Sequence, residues 1–290
     1  MVKKKLSNQS GQVLLMLILI SSVLLTVGLS MSQVGVNETK ISKLEEESKK
    51  AFQAAEAGIE QTIEDLKDSP NTPGIETPIN LNQVNVTTKV TNSNADDPNS
   101  SIDDPRYFKT PLVKKDDQFT FFLTKYDPTS SDPWSTDIYN GNLNFYLNSN
   151  NKTNCGAGRD VPAIELTYIY GDTTFTTEKY MIDPLCNAFN EPANRILTTV
   201  DNTSSIAFFS DFKQKTNETL NINSGNNPKI IVARVLYSDT MIGFLGDNPL
   251  KEQGKFITST ATSTSNNVTK KIELFQSLPQ IPADFFVTSF

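Results

Sequence analysis

The side chains that could do chemistry in this chain are few. There is no histidine, which removes the commonest general base and the commonest metal ligand. Serine and threonine are plentiful, but none has an imidazole to activate it. A Ser–Lys dyad or a carboxylate pair would have to be assembled by the fold. No Walker-type loop and no glycine-rich dinucleotide fingerprint occurs, so neither an enzymatic activity nor a cofactor is expected. Asp96-Asp97 and Asp103-Asp104 offer oxygen ligands of the kind calcium takes. They lack the spacing and glycine of an EF-hand loop, and Pro98 and Pro105 follow the two pairs, so a solvated loop is the favoured reading. Asp127, Asp132 and Asp137 around Trp134 are read the same way. No metal site is expected.

Two cysteines, Cys155 and Cys186, are too few for a zinc site of the usual composition. In an exported domain a lone pair reads first as one disulfide, and two free buried thiols are the alternative. Closing a loop of about thirty residues would stabilise the fold by roughly 3.5 kcal/mol on the chain-entropy model.

The elements that would carry these side chains are strands. Hydrophobic residues make up only 37% of the chain, and the abundance of Asn, Thr, Ser and Asp suits turns and thin β-layers. Residues 69–117 read as an irregular linker with one strand, Leu81 to Thr91, whose Val84, Val86 and Val90 share a face. Residues 118–290 read as a β-rich, exported domain. Its expected strands are 119–126, 143–147, 163–170, 175–182, 205–209, 229–237, 241–245, 255–262 and 270–275, in one or two antiparallel sheets. A hairpin is expected around Gly171-Asp172. Residues 1–67 carry eight lysines and eight carboxylates, so the formal charge of −7 belongs to the rest of the chain. An acidic domain without a basic run argues against nucleic-acid binding, which depends on neutralising phosphates.

The N-terminal part is of another kind. Residues 1–11, MVKKKLSNQSG, form a short basic leader, and QVLLMLILISSVLLTVGLSM follows from Gln12 to Met31. No charge occurs between Leu6 and Asn37, and twenty such residues span roughly 30 Å as a helix, the hydrocarbon thickness of a bilayer. The lysines ahead of it predict a cytoplasmic N-terminus. Residues 12–36 are thus read as a membrane helix. Residues 37–68 read as its amphipathic continuation, because Ile41, Leu44, Phe52, Ala55, Ile59, Ile63 and Leu66 recur mostly at spacings of three and four. No proline interrupts 12–67, and helicity should stop near Asp68, because Ser69 precedes Pro70. The expected fold class is α+β, with Phe52, Ile59, Ile63 and Leu66 either covering a sheet or packing against other helices. Three readings of the apolar run compete: a cleaved secretory signal with a site in Gly28–Ser32, a permanent anchor displaying an adhesin or binding domain, and a prepilin-type leader and helix.

The leader ending in Gly11, the uninterrupted apolar helix and AFQAAEAGIE at Ala51–Glu60 resemble the N-terminus of type IV pilin-like proteins. They are most similar to minor pilins of the PilX type and to atypical pseudopilins of type II secretion. The resemblance covers about residues 3–66. It implies cleavage by a prepilin peptidase between Gly11 and Gln12, anchoring in membrane lipid before assembly, and packing against other pilin-like subunits through the N-terminal helix. Small residues such as Ser21, Ser22 and Gly28 would allow close helix contact there. Most major pilins carry Glu at the fifth mature position, and here that position is Met16. Among its relatives this departure implies a minor subunit at the tip or in a priming complex of a pilus or pseudopilus.

Overall fold

The protein was analysed as a computed structural model. It describes residues 10–68, 76–81, 84–93, 104–127, 130–148, 154–155, 157–183, 195–196, 198–200, 212, 214–216 and 219–281. Helix α1 (Ser10–Asp68) is followed by β1 (Glu76–Leu81), β2 (Val84–Asn92), β3 (Tyr107–Lys109), β4 (Gln118–Phe122), β5 (Thr124–Tyr126), β6 (Trp134–Ile138), β7 (Gly141–Leu147), β8 (Ala163–Gly171) and β9 (Phe175–Ile182). Then come β10 (Arg195–Ile196), β11 (Thr198–Val200), β12 (Gln214–Thr216), β13 (Leu220–Ile222), β14 (Pro228–Leu236), β15 (Ile242–Gly246), β16 (Gly254–Ser263) and β17 (Thr269–Ser277). One long helix followed by a β-rich, antiparallel domain makes the class α+β.

The chain divides into two compact units. The first comprises residues 1–58, 78–87 and 259–272, and the second comprises 59–77, 88–258 and 273–290. In the first unit, helix residues Ala51, Ala54 and Ala55 form one buried cluster with Val84, Val86 and Ala261, against which Ile272 packs. Small side chains let the helix backbone approach the strands closely. The buried positions of α1 are therefore Ala51, Ala54, Ala55, Gly58, Ile59 and Thr62, at spacings of three and four. The four residues expected to share one role differ in burial. Phe52 does not cover a sheet: it is 46% exposed, while Ile59 is buried and Ile63 and Leu66 are half-buried.

The second unit holds the main core. Its five-stranded sheet runs β10-β9-β8-β14-β4, and a second sheet runs β11-β12-β7-β15-β3, with β13 also paired to β7. Strand β14 lies antiparallel between β8 and β4, β15 lies antiparallel between β7 and β3, and β10 is parallel to β9. Strands buried on both faces read as nearly continuous apolar runs: the central β8 is buried at its first six positions, and β4, at the end of the sheet, at all five. Aromatic rings from both sheets meet in this core. Phe121 of β4 stacks on Phe244 of β15 at 4.0 Å, and Phe108 of β3 lies 5.6 Å from Phe119 and 6.1 Å from Phe121.

Several expected strands match in place, including β2, whose Val84, Val86 and Val90 are all buried. The hairpin β8–β9 turns after Gly171. That glycine has φ +117°, and a Cβ there would fall 2.2 Å from the Thr174 carbonyl oxygen, so the turn requires glycine. Other expectations change. The run 119–126 is broken at Leu123 into β4 and β5. Among its described residues the stretch 69–117 holds three strands where one is expected, and its Phe108 sits in the core at 2% exposure. Its Val113 also bridges to Thr240. Among the described residues there are four sheets, including the two-stranded β5-β6 and the four-stranded β1-β2-β16-β17. The expected strand 205–209 lies outside the described residues.

Candidate functional site

The feature that most constrains function is α1 itself. Its 59 residues run unbroken for about 88 Å at 1.5 Å per residue. Among the described residues it is one helix long and apolar enough to cross a membrane. From Leu14 to Val36 every large apolar side chain is exposed, by 47 to 72%. Water is a poor solvent for so continuous an apolar surface, and hydrocarbon or other apolar helices suit it.

The polar side chains of this stretch are arranged for such surroundings. The Ser21 hydroxyl donates to the Leu17 carbonyl at 2.7 Å and that of Ser22 to Leu19 at 2.9 Å. Thr26 donates to Ser22 at 2.6 Å, and Thr39 to Gly35 at 2.8 Å. These four hydroxyls are folded back on their own helix and are satisfied without a water partner. Thr26 and Thr39 were not singled out from the sequence, although serine or threonine in an apolar helix is itself the signal. Around Gly28 there is open space where a side chain would stand. A shallow groove of about 360 Å³ lies along Ser32, Gly35, Val36, Thr39, Lys40 and Lys43.

The other anticipated residues fall as follows. Gly11 and Gln12 lie in the first turns of α1, and Met16 is 69% exposed. Phe52 lines a second shallow groove, about 370 Å³, with Ser48, Lys49, Gln53, Glu56 and Lys270. Nearby, Lys50 pairs with Glu46 at 2.7 Å, and Ser263 donates to Glu47. These residues form no common pocket.

In the second unit several polar side chains are engaged structurally. Cys155 is disulfide-bonded, and Cys186 lies outside the described residues. Asp96, Asp97 and Asp103 also lie outside them. Asp104 accepts from the Arg106 guanidinium at 2.6 and 3.0 Å, and this contact holds its carboxyl below the usual carboxylate range. Asp132 accepts from the Trp134 backbone at 3.0 Å, and Asp137 pairs with Lys251. Tyr139 is buried, donates to the Asn142 carbonyl at 2.8 Å and accepts from the Asp247 backbone at 3.1 Å. Burial pushes the Tyr168 phenol up to about 12, so it stays neutral at ordinary pH. Among the described residues no group of three or more His, Cys, Asp or Glu side chains is placed to hold a metal ion.

Comparison of the chain with protein families, with curated proteins and with solved structures finds no match.

Proposed function

We propose that this chain is a structural subunit of a type IV pilus or related pseudopilus, in a minor, tip or priming position. The helix α1 anchors it in the cytoplasmic membrane with its N-terminus inside, and then packs among other such helices, while the β-rich domain is displayed outside. The observation that carries the reading is the unbroken α1 helix. From Leu14 to Val36 it is uncharged and exposes its large apolar side chains, and its second half buries an alanine face against its own strands. A removable secretory signal has no need to continue into such a helix. Met16, where a carboxylate would otherwise face a neighbouring terminal amine, supports a position with no subunit above it.

Sequencing the mature N-terminus tests this. A chain starting at Gln12 is expected, and Gly11→Ala should abolish the processing. A start at Met1 would make the protein a static anchored domain, and a start near Ser32 would overturn both readings.

A further inference from the structure

Edge strands expose a row of unpaired backbone groups and invite pairing with another chain. Strand β4 is the last strand of its sheet. Leu123, the residue after it, donates its N–H to Lys229 just ahead of Ile230. By the alternation of an antiparallel ladder, the N–H groups of Gln118, Thr120 and Phe122 therefore point away from β14. Every one of these three ends on a side-chain oxygen. Asp117 Oδ1 accepts from Gln118 at 2.8 Å, Gln280 Oε1 accepts from Thr120 at 2.6 Å, and Gln253 Oε1 accepts from Phe122 at 2.7 Å.

The Gln253 amide does more. Its Nε2 donates to the Phe122 carbonyl at 2.8 Å and to the Lys251 carbonyl at 2.8 Å. It thus pairs with Phe122 through both N–H and C=O, as a neighbouring strand's peptide group would. The segment Leu278–Ile281 closes the rest. Leu278 donates its N–H to the Gln253 carbonyl at 2.9 Å, Ile281 donates to the Thr120 hydroxyl at 3.1 Å, and the Gln118 side chain donates to the Ile281 carbonyl. Leu278 and Ile281 also pack on the cluster of Phe122, Ile230 and Val232.

We infer that β4 is a guarded pairing edge: Gln253, Gln280 and the strap Leu278–Ile281 occupy its free side and keep it from accepting a strand of a second copy of this chain. The strand itself shows why a guard is needed. Gln118-Phe119-Thr120-Phe121-Phe122 carries no charge and no proline, the composition that pairs with its own kind when an edge is open. The strap holds by a few hydrogen bonds and two apolar side chains, so it can be lost without unfolding the sheet behind it. This inference does not depend on the role of α1.

The test is amide hydrogen exchange on the full chain in detergent. In Gln280→Ala, the Thr120 amide should exchange about tenfold faster, the scale of one lost hydrogen bond, with the Phe122 amide unchanged. In Leu278→Asp/Ile281→Asp, both should exchange fast in dilute protein and regain protection as protein concentration rises. The amides of β8 serve as the folding control; should they lose protection, Ile281→Ala replaces the double variant. A Thr120 amide that stays protected in Gln280→Ala would refute the guard. Loss of protection at every concentration would refute pairing with a second copy. Because the readout is confined to β4, association through α1 does not imitate either result.

Discussion

The open end of the β8–β9 hairpin is closed by a buried ion pair whose removal should be severe. Arg159 precedes β8 and Asp183 follows β9 directly, and their side chains are 7% and 2% exposed. The guanidinium contacts both carboxylate oxygens, donates through Nε to the Val161 carbonyl at 3.0 Å, and lies 4.1 Å from the Tyr237 ring centroid. Arg159→Met keeps the stem but leaves the Asp183 carboxylate buried without its cation, a change that costs about 3–5 kcal/mol. For a unit of this size each kcal/mol moves the melting temperature by about 2–4 °C, so a fall of roughly 6–20 °C is expected. Replacing both residues, Arg159→Met with Asp183→Leu, removes the stranded charge together with its partner and should restore most of the loss. Arg159→Lys keeps the charge but not the fork, and should fall between. Thermal unfolding followed by near-ultraviolet circular dichroism in detergent, with the disulfide intact, measures all four proteins. If Arg159→Met costs less than about 1 kcal/mol, or if the double variant is no more stable than the single one, the pair is not what closes the hairpin.

Three further variants test contacts elsewhere in the structure. The Asp104 carboxyl is held low in the folded protein by Arg106. Its stabilising contribution is therefore present above the unfolded value and lost as pH falls through the lower folded one. For a pair so open to solvent it is about 0.2–1 kcal/mol, and Asp104→Asn should flatten that part of an acid-unfolding profile. On α1, Ala55→Leu would overfill a fully buried position and destabilise by about 1–3 kcal/mol. Phe52→Ala, one turn earlier but exposed, should leave the melting temperature nearly unchanged and, on the proposed function, lower incorporation into filaments. A melting loss in Phe52→Ala as large as that in Ala55→Leu would count against this division of the helix.

Much of the fold was legible because its signals are local. An apolar run without charge, followed by helix formers without proline, specifies one long helix. Alternation places Val84, Val86 and Val90 on one side of β2. What escaped was decided by partners distant in sequence. Phe108 lies in a stretch of Asn, Asp and Pro, and only its pairing across to β15 makes it core. The alanine side of the helix was less legible than Phe52 because large apolar residues dominate a periodicity, whereas this interface is built on alanines that permit close approach. Gln253 and Gln280 look like ordinary surface residues until an edge strand is placed beside them. The candidate site was legible as an apolar helix. Its internal hydroxyl bonds were not, since they depend on rotamers.

The two halves of α1 bear on the choice between a passive anchor and the proposed assembly element. A static anchor needs apolar surface only across the hydrocarbon, about twenty residues. Here the exposed apolar positions continue past that length, with Ile41 at 56%, Leu44 at 48% and Phe52 at 46%. At 3.6 residues per turn these three fall within about 80° of one another on the helix surface. Lys40, Lys43, Lys49 and Lys50 interleave with them, so this stretch is amphipathic and unsuited to hydrocarbon. The alanine face is already used by the strands of its own chain. Ile41 and Leu44 lie on the same side of the helix as Ala51, Ala55 and Ile59, so that side continues towards the N-terminus as exposed apolar surface, and such surface beyond the hydrocarbon is what helix-to-helix packing requires. That is the physical reason for favouring polymerisation over simple anchoring.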